Sequence, residues 1–194
     1  MYPLFESIKI ENGQAPHLSW HQERVNRSYP QLFKGKNPFL LEELLRIPGA
    51  VKEGLFKARF VYAEKEFYWE FHPYSPKKIL ALTIVEAHDL DYSLKYQDRT
   101  ALNKLLAGTK AGEEIIILKQ GFITDSSYSN LIFRSGQSWY TPDTPLLEGS
   151  CRARLLAKGT IESIRIRKDD LPEFESAKLI NAMLDIDDTD EIIL

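Results

Sequence analysis

Residues 113–118, Glu-Glu-Ile-Ile-Ile-Leu, leave the chain fewer ways to fold than any other stretch. An apolar run dominated by β-branched isoleucine, bounded by charge on one side and by Lys119-Gln120-Gly121 on the other, reads as a buried strand ending in a tight turn. Residues 122–125, 130–134 and 138–141 then read as short strands separated by Ser/Gly loops. Residues 146–156 turn into a helix at Gly149 or Ser150, which Gly159 stops. A strand over 161–167 and an apolar run over 178–183 complete a β-rich C-terminal lobe.

The N-terminal half has a different rhythm. Residues 5–10 alternate like a half-buried strand and run into Asn12-Gly13, a strong hairpin signal. A helix is predicted from Leu18 to about Leu32, with Ser19 and Gln22 placed as a capping box, and a short second helix over 39–45. Strand-like runs follow at 54–62, 66–73 and 78–86, and their aromatic residues between 56 and 74 suit packing. The expectation is an α+β fold in two lobes: residues 1–88 as a small N-terminal α+β lobe of strand, helix and meander, and residues 89–194 as the C-terminal lobe.

Composition narrows the function classes. With 43% hydrophobic and 27% charged residues among 194, the sequence is that of a globular protein. A net charge of -3, with Lys and Arg scattered among acids, offers no footprint for nucleic acid or an anionic membrane. No stretch approaches membrane-spanning length, and Met1-Tyr2-Pro3 carries no signal-peptide character. The single cysteine, Cys151, rules out an internal disulfide framework and suits a reducing compartment, so the cytoplasm is expected.

Chemistry concentrates in two stretches. Lys95 lies at a junction just before Asp98, a candidate helix cap, and a lysine amine stripped of water there is a natural partner for an aldehyde in a Schiff base. Thirty residues on comes Thr124-Asp125-Ser126-Ser127-Tyr128-Ser129-Asn130-Leu131, followed by Trp139-Tyr-Thr-Pro142 and Leu147-Glu-Gly149-Ser150-Cys151-Arg152. These motifs resemble the signature of the class IV, fold-type IV pyridoxal-phosphate enzymes, which include branched-chain aminotransferases, D-amino-acid aminotransferases and 4-amino-4-deoxychorismate lyases. His21-Gln-Glu-Arg24 is similar to the family's His-x-x-Arg helix motif. Leu94-Lys95-Tyr-Gln-Asp-Arg99 resembles the Lys-His-x-Asn-Arg run of the lyases.

The resemblance implies a two-lobed fold-type IV architecture and roles for named residues. Lys95 would hold the aldehyde of pyridoxal 5'-phosphate and, once displaced, move the substrate proton. Asp125 would pair with the pyridine nitrogen; relatives mostly have glutamate there, so the shorter side chain demands a closer backbone or a looser contact. Arg24 would bind the phosphate, together with the free N–H groups of Gly149-Ser150-Cys151 at a helix N-terminus, and Ser126 and Ser127 would add hydroxyls or amides. The substrate's carboxylates need cations, for which Arg59, Lys77, Lys78 and Arg99 are available. A cofactor completed by a partner subunit implies a homodimer.

Other candidates carry less chemistry. His17 and His21 are four apart but lack a third ligand, and no metal is expected. The acidic stretch 185–191 lacks the glycine and glutamate spacing of a calcium loop and reads as a solvated tail. Three functions stay open: a lyase releasing pyruvate and 4-aminobenzoate for folate synthesis, which the Lys95–Arg99 run resembles most; an aminotransferase acting on branched-chain or D-amino acids; and a pyridoxal-phosphate-binding protein without turnover.

Overall fold

Strand β1 (Leu4–Glu11) opens the computed structural model, which describes residues 3–194. Its alternation holds: Leu4, Ile8 and Ile10 are fully buried on one face. Asn12 and Gly13, both with positive φ, close a two-residue turn in which the Glu11 N–H donates to Gln14 O at 2.8 Å. No strand follows directly. β1 pairs antiparallel with β2 (Leu55–Tyr62), and β2 with β3 (Phe67–Pro73), giving the order β1-β2-β3.

Helix α1 (Leu18–Leu32) covers the apolar face of this sheet with Val25 and Tyr29. The capping box does not form. His17, in the left-handed region at φ 65°, is the N-cap and no side chain caps the helix, while Ser19 lies inside the first turn. The Gln22 amide is committed elsewhere: it donates to Phe39 O at 2.9 Å and accepts from the Leu41 N–H at 2.7 Å, tying α1 to the segment beyond it. The second helix shrinks to one turn, α2 (Leu41–Leu44). Phe39, Phe60 and Tyr62 form an aromatic centre, with Phe39 edge-on to Phe60 at 5.6 Å and Phe60 stacked on Tyr62 at 5.2 Å.

The chain divides into two units: residues up to Pro76 with Leu94–Gln97, and Lys77–Ser93 with Asp98–Leu194. Lys95 thus sits in the first unit, not in the C-terminal lobe. Main-chain bonds explain this: the Phe5 N–H donates to Lys95 O at 3.1 Å, the Gln97 N–H to Pro3 O at 2.9 Å, and Tyr96 bridges to Leu4.

In the second unit, the strand expected to extend the N-terminal meander, β4 (Ala81–Glu86), instead pairs parallel with β5 (Glu113–Lys119). Leu82 and Ile84 pack there against Ile116, Leu118 and Ile123. The connection carries helix α3 (Thr100–Leu105), whose first N–H is held by Asp98 at 2.9 Å. Strand β6 (Phe122–Ile123) completes the β4-β5-β6 sheet. A five-stranded sheet follows, built from β7 (Asn130–Ser135), β8 (Ser138–Pro142), β9 (Glu162–Ile164), β10 (Ser176–Ile180) and β11 (Ile192–Ile193) in the order β11-β10-β7-β8-β9.

β7 is buried on both faces. Leu131 and Phe133 join one core, while Ile132 joins another with Cys151 and Leu155 of helix α4 (Ser150–Ala157). Among the described residues no helix is long and apolar enough to cross a membrane.

Candidate active site

Each unit gathers part of the predicted constellation. In the first, Glu6 occupies the apolar face of β1 between Leu4 and Ile8 and is 1% exposed. A carboxylate there needs partners, and α1 supplies them. Arg24 donates through Nε to Oε1 at 2.8 Å and through Nη2 to Oε2 at 2.5 Å, and His21 Nδ1 lies 2.7 Å from Oε2. Burial alone would push the Glu6 carboxyl up, but the Arg24 charge and the bonds from His21 and Arg24 win and hold it down at about 2. His21 is held below its ordinary value by burial, against the pull of Glu6, with the charges of Arg24 and Lys95 adding to the depression. Arg24 is therefore a buried, paired arginine rather than an exposed helix residue.

On the opposite face of the sheet, Phe5 carries two cations. Lys95 Nζ lies 4.7 Å and Arg59 Cζ 4.8 Å from its ring centroid. Lys95 is half-buried. Arg59, opposite Ser7 on β2 and Glu70 on β3, donates through Nη1 to Glu70 at 2.5 Å.

The second unit holds Asp125, Ser126, Ser127, Gly149, Ser150 and Cys151. Asp125 follows β6 and is 5% exposed. Its Oδ1 accepts from Asn130 Nδ2 at 2.7 Å and its Oδ2 from the Leu147 N–H at 2.9 Å. Burial raises its pKa to about 6, against the lowering effect of those donors and the Arg152 charge. Gly149 precedes α4, and its missing side chain leaves room for a neighbour: a Cβ there would lie 1.8 Å from Asn130 Oδ1. Cys151 is buried, and burial with the Asp185 charge pushes its thiol up to about 11, which leaves its backbone amide as its useful group. Asp185, at the head of the acidic stretch, pairs with Arg154 rather than extending into solvent.

Ser126 and Ser127 differ. Ser126 Oγ accepts from the Ser129 N–H at 3.0 Å and closes the turn. Ser127 Oγ is buried and without a partner among the described residues. Arg99, a candidate for substrate, donates through Nη2 to Ser127 O at 2.8 Å and lies 6.0 Å from the Tyr92 ring, so its guanidinium is engaged by the fold.

These groups fit pyridoxal phosphate chemically. In the first unit a half-buried amine and an arginine, and in the second a buried carboxylate whose pKa burial raises, an uncapped eight-residue helix start and an orphaned hydroxyl, are the kinds of group such a cofactor uses. The sequence profile of amino-transferase class IV matches residues 67–187. The chain belongs to this family of pyridoxal-phosphate-dependent enzymes. An uncharacterised protein of Haemophilus influenzae is 41% identical to this class IV chain over 186 residues, 94% of it and 98% of that protein. A crystal structure from Haemophilus somnus 129PT, described as that of a candidate 4-amino-4-deoxychorismate lyase, has 41% identity, a TM-score of 0.89, and coverage of 94% and 97% of the two chains. A Mycobacterium tuberculosis protein described as a hypothetical aminotransferase, in its PLP-bound form, shares the fold at 17% identity and TM-score 0.78, with coverage of 98% and 80%.

Four buried polar residues of this class IV enzyme have no role assigned from sequence. Glu6 was visible as an acid breaking an apolar alternation, whereas Asn130 stood in the quoted motif without a role. Arg152 also stood there; it is 4% exposed and donates through Nη2 to Pro142 O at 2.8 Å. Glu114 gave no signal beyond being one of two acids before a strand.

Proposed function

We propose that the chain is a pyridoxal-phosphate-dependent lyase that eliminates pyruvate from 4-amino-4-deoxychorismate and releases 4-aminobenzoate for folate synthesis. One observation carries the reading: 41% identity over nearly the full length of both chains to the Haemophilus somnus candidate lyase. The Lys95-Tyr96-Gln97-Asp98-Arg99 run supports it.

When bound, the cofactor supplies an aldehyde for amines and a ring that accepts the electrons released when a bond at the substrate carbon breaks. The residues do the rest. Lys95 Nζ would hold the aldehyde and, once free, would take the proton beside the substrate's nitrogen. Asp125, ionised above about pH 6, would keep the ring nitrogen protonated. Arg24, fixed by Glu6, is the first unit's candidate for the phosphate, and the Ser150 and Cys151 amides are the second unit's. For a substrate carboxylate the candidates are Arg59, which shares the Phe5 ring with Lys95 and is paired with Glu70, and Arg99, which is bonded to the Ser127 carbonyl. Aromatisation of the product supplies the driving force, so orienting the leaving group and managing one proton suffice. The assembly in this reading is a cytoplasmic homodimer.

The second reading, an amino-acid aminotransferase, is favoured by the family description. The experiment measures pyruvate and 4-aminobenzoate release from 4-amino-4-deoxychorismate by the wild type and by Lys95→Ala. Both products are expected from the wild type and neither from the variant. No release by the wild type, with bleaching of its visible absorbance by D- or branched-chain amino acids, establishes the transaminase instead. A coloured protein that converts neither substrate class is a binding protein.

A further inference from the structure

The Phe5 ring is approached by two cations that reach it from different sides of β1, all within the first unit. Lys95 belongs to the segment that bonds along one side of the strand, where the Phe5 N–H donates to Lys95 O at 3.1 Å. Arg59 comes from β2 on the other side, where it stands opposite Ser7. Lys95 Nζ and Arg59 Cζ lie 4.7 Å and 4.8 Å from the ring centroid. Both are inside the reach of about 6 Å over which an aromatic face attracts a cation. Phe5 is 6% exposed and Lys95 half-buried, so water competes weakly with the ring.

The ring distinguishes the two protonation states of Lys95. An ammonium gains from the negative face of the ring, whereas a neutral amine does not. Arg59 acts in the opposite direction, because a second positive charge nearby disfavours the ammonium. Its pairing with Glu70 Oε2 at 2.5 Å offsets part of that repulsion. On α1, His21 feels the Lys95 charge but is held below its ordinary pKa by burial, and Glu6 behind it is matched by Arg24. We propose that Phe5 is a positioning residue for the reaction, whose ring holds Lys95 Nζ in place and stabilises the ammonium that forms when Nζ takes the substrate proton. The inference rests on the functional reading above, in which Lys95 is the base. In that step the substrate C–H bond breaks, its electron pair stays on the substrate side, and the proton forms a new N–H bond on Nζ. A group that stabilises the protonated form of a base makes it a stronger base. The ring also gives a long, flexible lysine stem a fixed place to return to.

The test follows this amine in full-length, cofactor-free protein. Trace acetylation by acetic anhydride is measured as a function of pH, with Lys95 read by peptide mass spectrometry against a free amine in the same tube. Only the neutral amine reacts, so the profile gives the pH at which Lys95 loses its proton. Difluorophenylalanine at position 5 keeps the shape of the ring and weakens its negative face, and the midpoint falls. Phe5→Leu lowers it by about 0.4–1.5 pH units, the loss expected for one cation–π contact. Arg59→Met raises it, because a repelling charge has gone and the Glu70 carboxylate remains. A merely structural ring would change the melting temperature and leave the midpoint in place. An unchanged midpoint in the difluorophenylalanine protein overturns the inference, and that variant decides the matter should Phe5→Leu not fold. The functional reading is checked separately on the wild type, where pyridoxal phosphate fixed by borohydride must leave its mass on Lys95. A Lys95 that stays unmodified overturns that reading, and the base role with it, whatever the midpoints.

Discussion

Glu6 grips Arg24 by two parallel bonds, Nε to Oε1 at 2.8 Å and Nη2 to Oε2 at 2.5 Å, inside the apolar core between β1 and α1. Two charges survive there because each is the other's solvation, with His21 as third member. Glu6→Gln leaves the buried guanidinium uncompensated and should cost about 3–5 kcal/mol in urea unfolding at pH 7. The pH dependence has a definite sign. The folded carboxyl sits at about 2, below its ordinary 4.5, so its contribution is full above pH 4.5 and fades as pH falls toward 2. The gap between wild type and Glu6→Gln should therefore narrow on going from pH 7 to pH 3. A gap that stays constant would show that the charge is not what matters.

Asn130 occupies the space a side chain at residue 149 would need. A Cβ on Gly149 meets Asn130 Oδ1 at 1.8 Å, and Asn130 Nδ2 donates both to Asp125 Oδ1 and to Leu147 O. Gly149→Ala must displace Asn130, costing about 1–3 kcal/mol of stability as an overpacked contact and loosening the hold on Asp125. The cause can be isolated by a double-mutant cycle. In an Asn130→Ala background the Gly149→Ala substitution should become nearly neutral in thermal melting. Additive losses would place the strain elsewhere.

Asp125 works against stability as pH rises. Its folded pKa of about 6 lies above the ordinary 3.8, so between those values the folded chain keeps a proton that the unfolded chain has lost. Stability attributable to this residue is therefore fully present below pH 4, declines between about pH 4 and 6, and stays lost above. The cofactor-free Asp125→Asn protein should lack this decline, whatever its absolute stability, when melting temperature is followed from pH 4 to 7.5. Parallel curves for the two proteins would remove burial as the dominant influence on this carboxyl.

What was legible in the chain follows from the range over which its signals act. Residues 113–118 had to be a strand because a continuous apolar run offers no polar face, and Asn12-Gly13 and Gln120-Gly121 had to turn because their backbones take positive φ. Partner choice was not written locally. β1 finds β2 more than forty residues later, and β4 leaves the meander because its apolar face matches β5. Lys95 stood out as a candidate amine, but its place in the first unit depends on main-chain bonds to Phe5 and Pro3 that no side chain advertises. Gln22 looked like a capping residue because an amide serves tertiary contacts as readily as caps.

Cys151 stands at the start of α4, a position where a thiol could be mistaken for a nucleophile. Burial and the Asp185 charge raise its pKa to about 11, and the Arg154 charge and hydrogen bond only partly offset them. The reactive species is the thiolate, so at pH 8 its population falls about a hundredfold relative to an ordinary thiol near 9. Folded protein should resist iodoacetamide at pH 8 by at least that factor compared with urea-unfolded protein, read by intact mass over time. Arg154→Met removes the cation that favours the thiolate while the Asp185 charge stays beside it, which deepens the protection as long as the helix stays folded. Rapid modification of the folded wild type would mean that Cys151 is neither as enclosed nor as strongly held in its neutral form as its surroundings require.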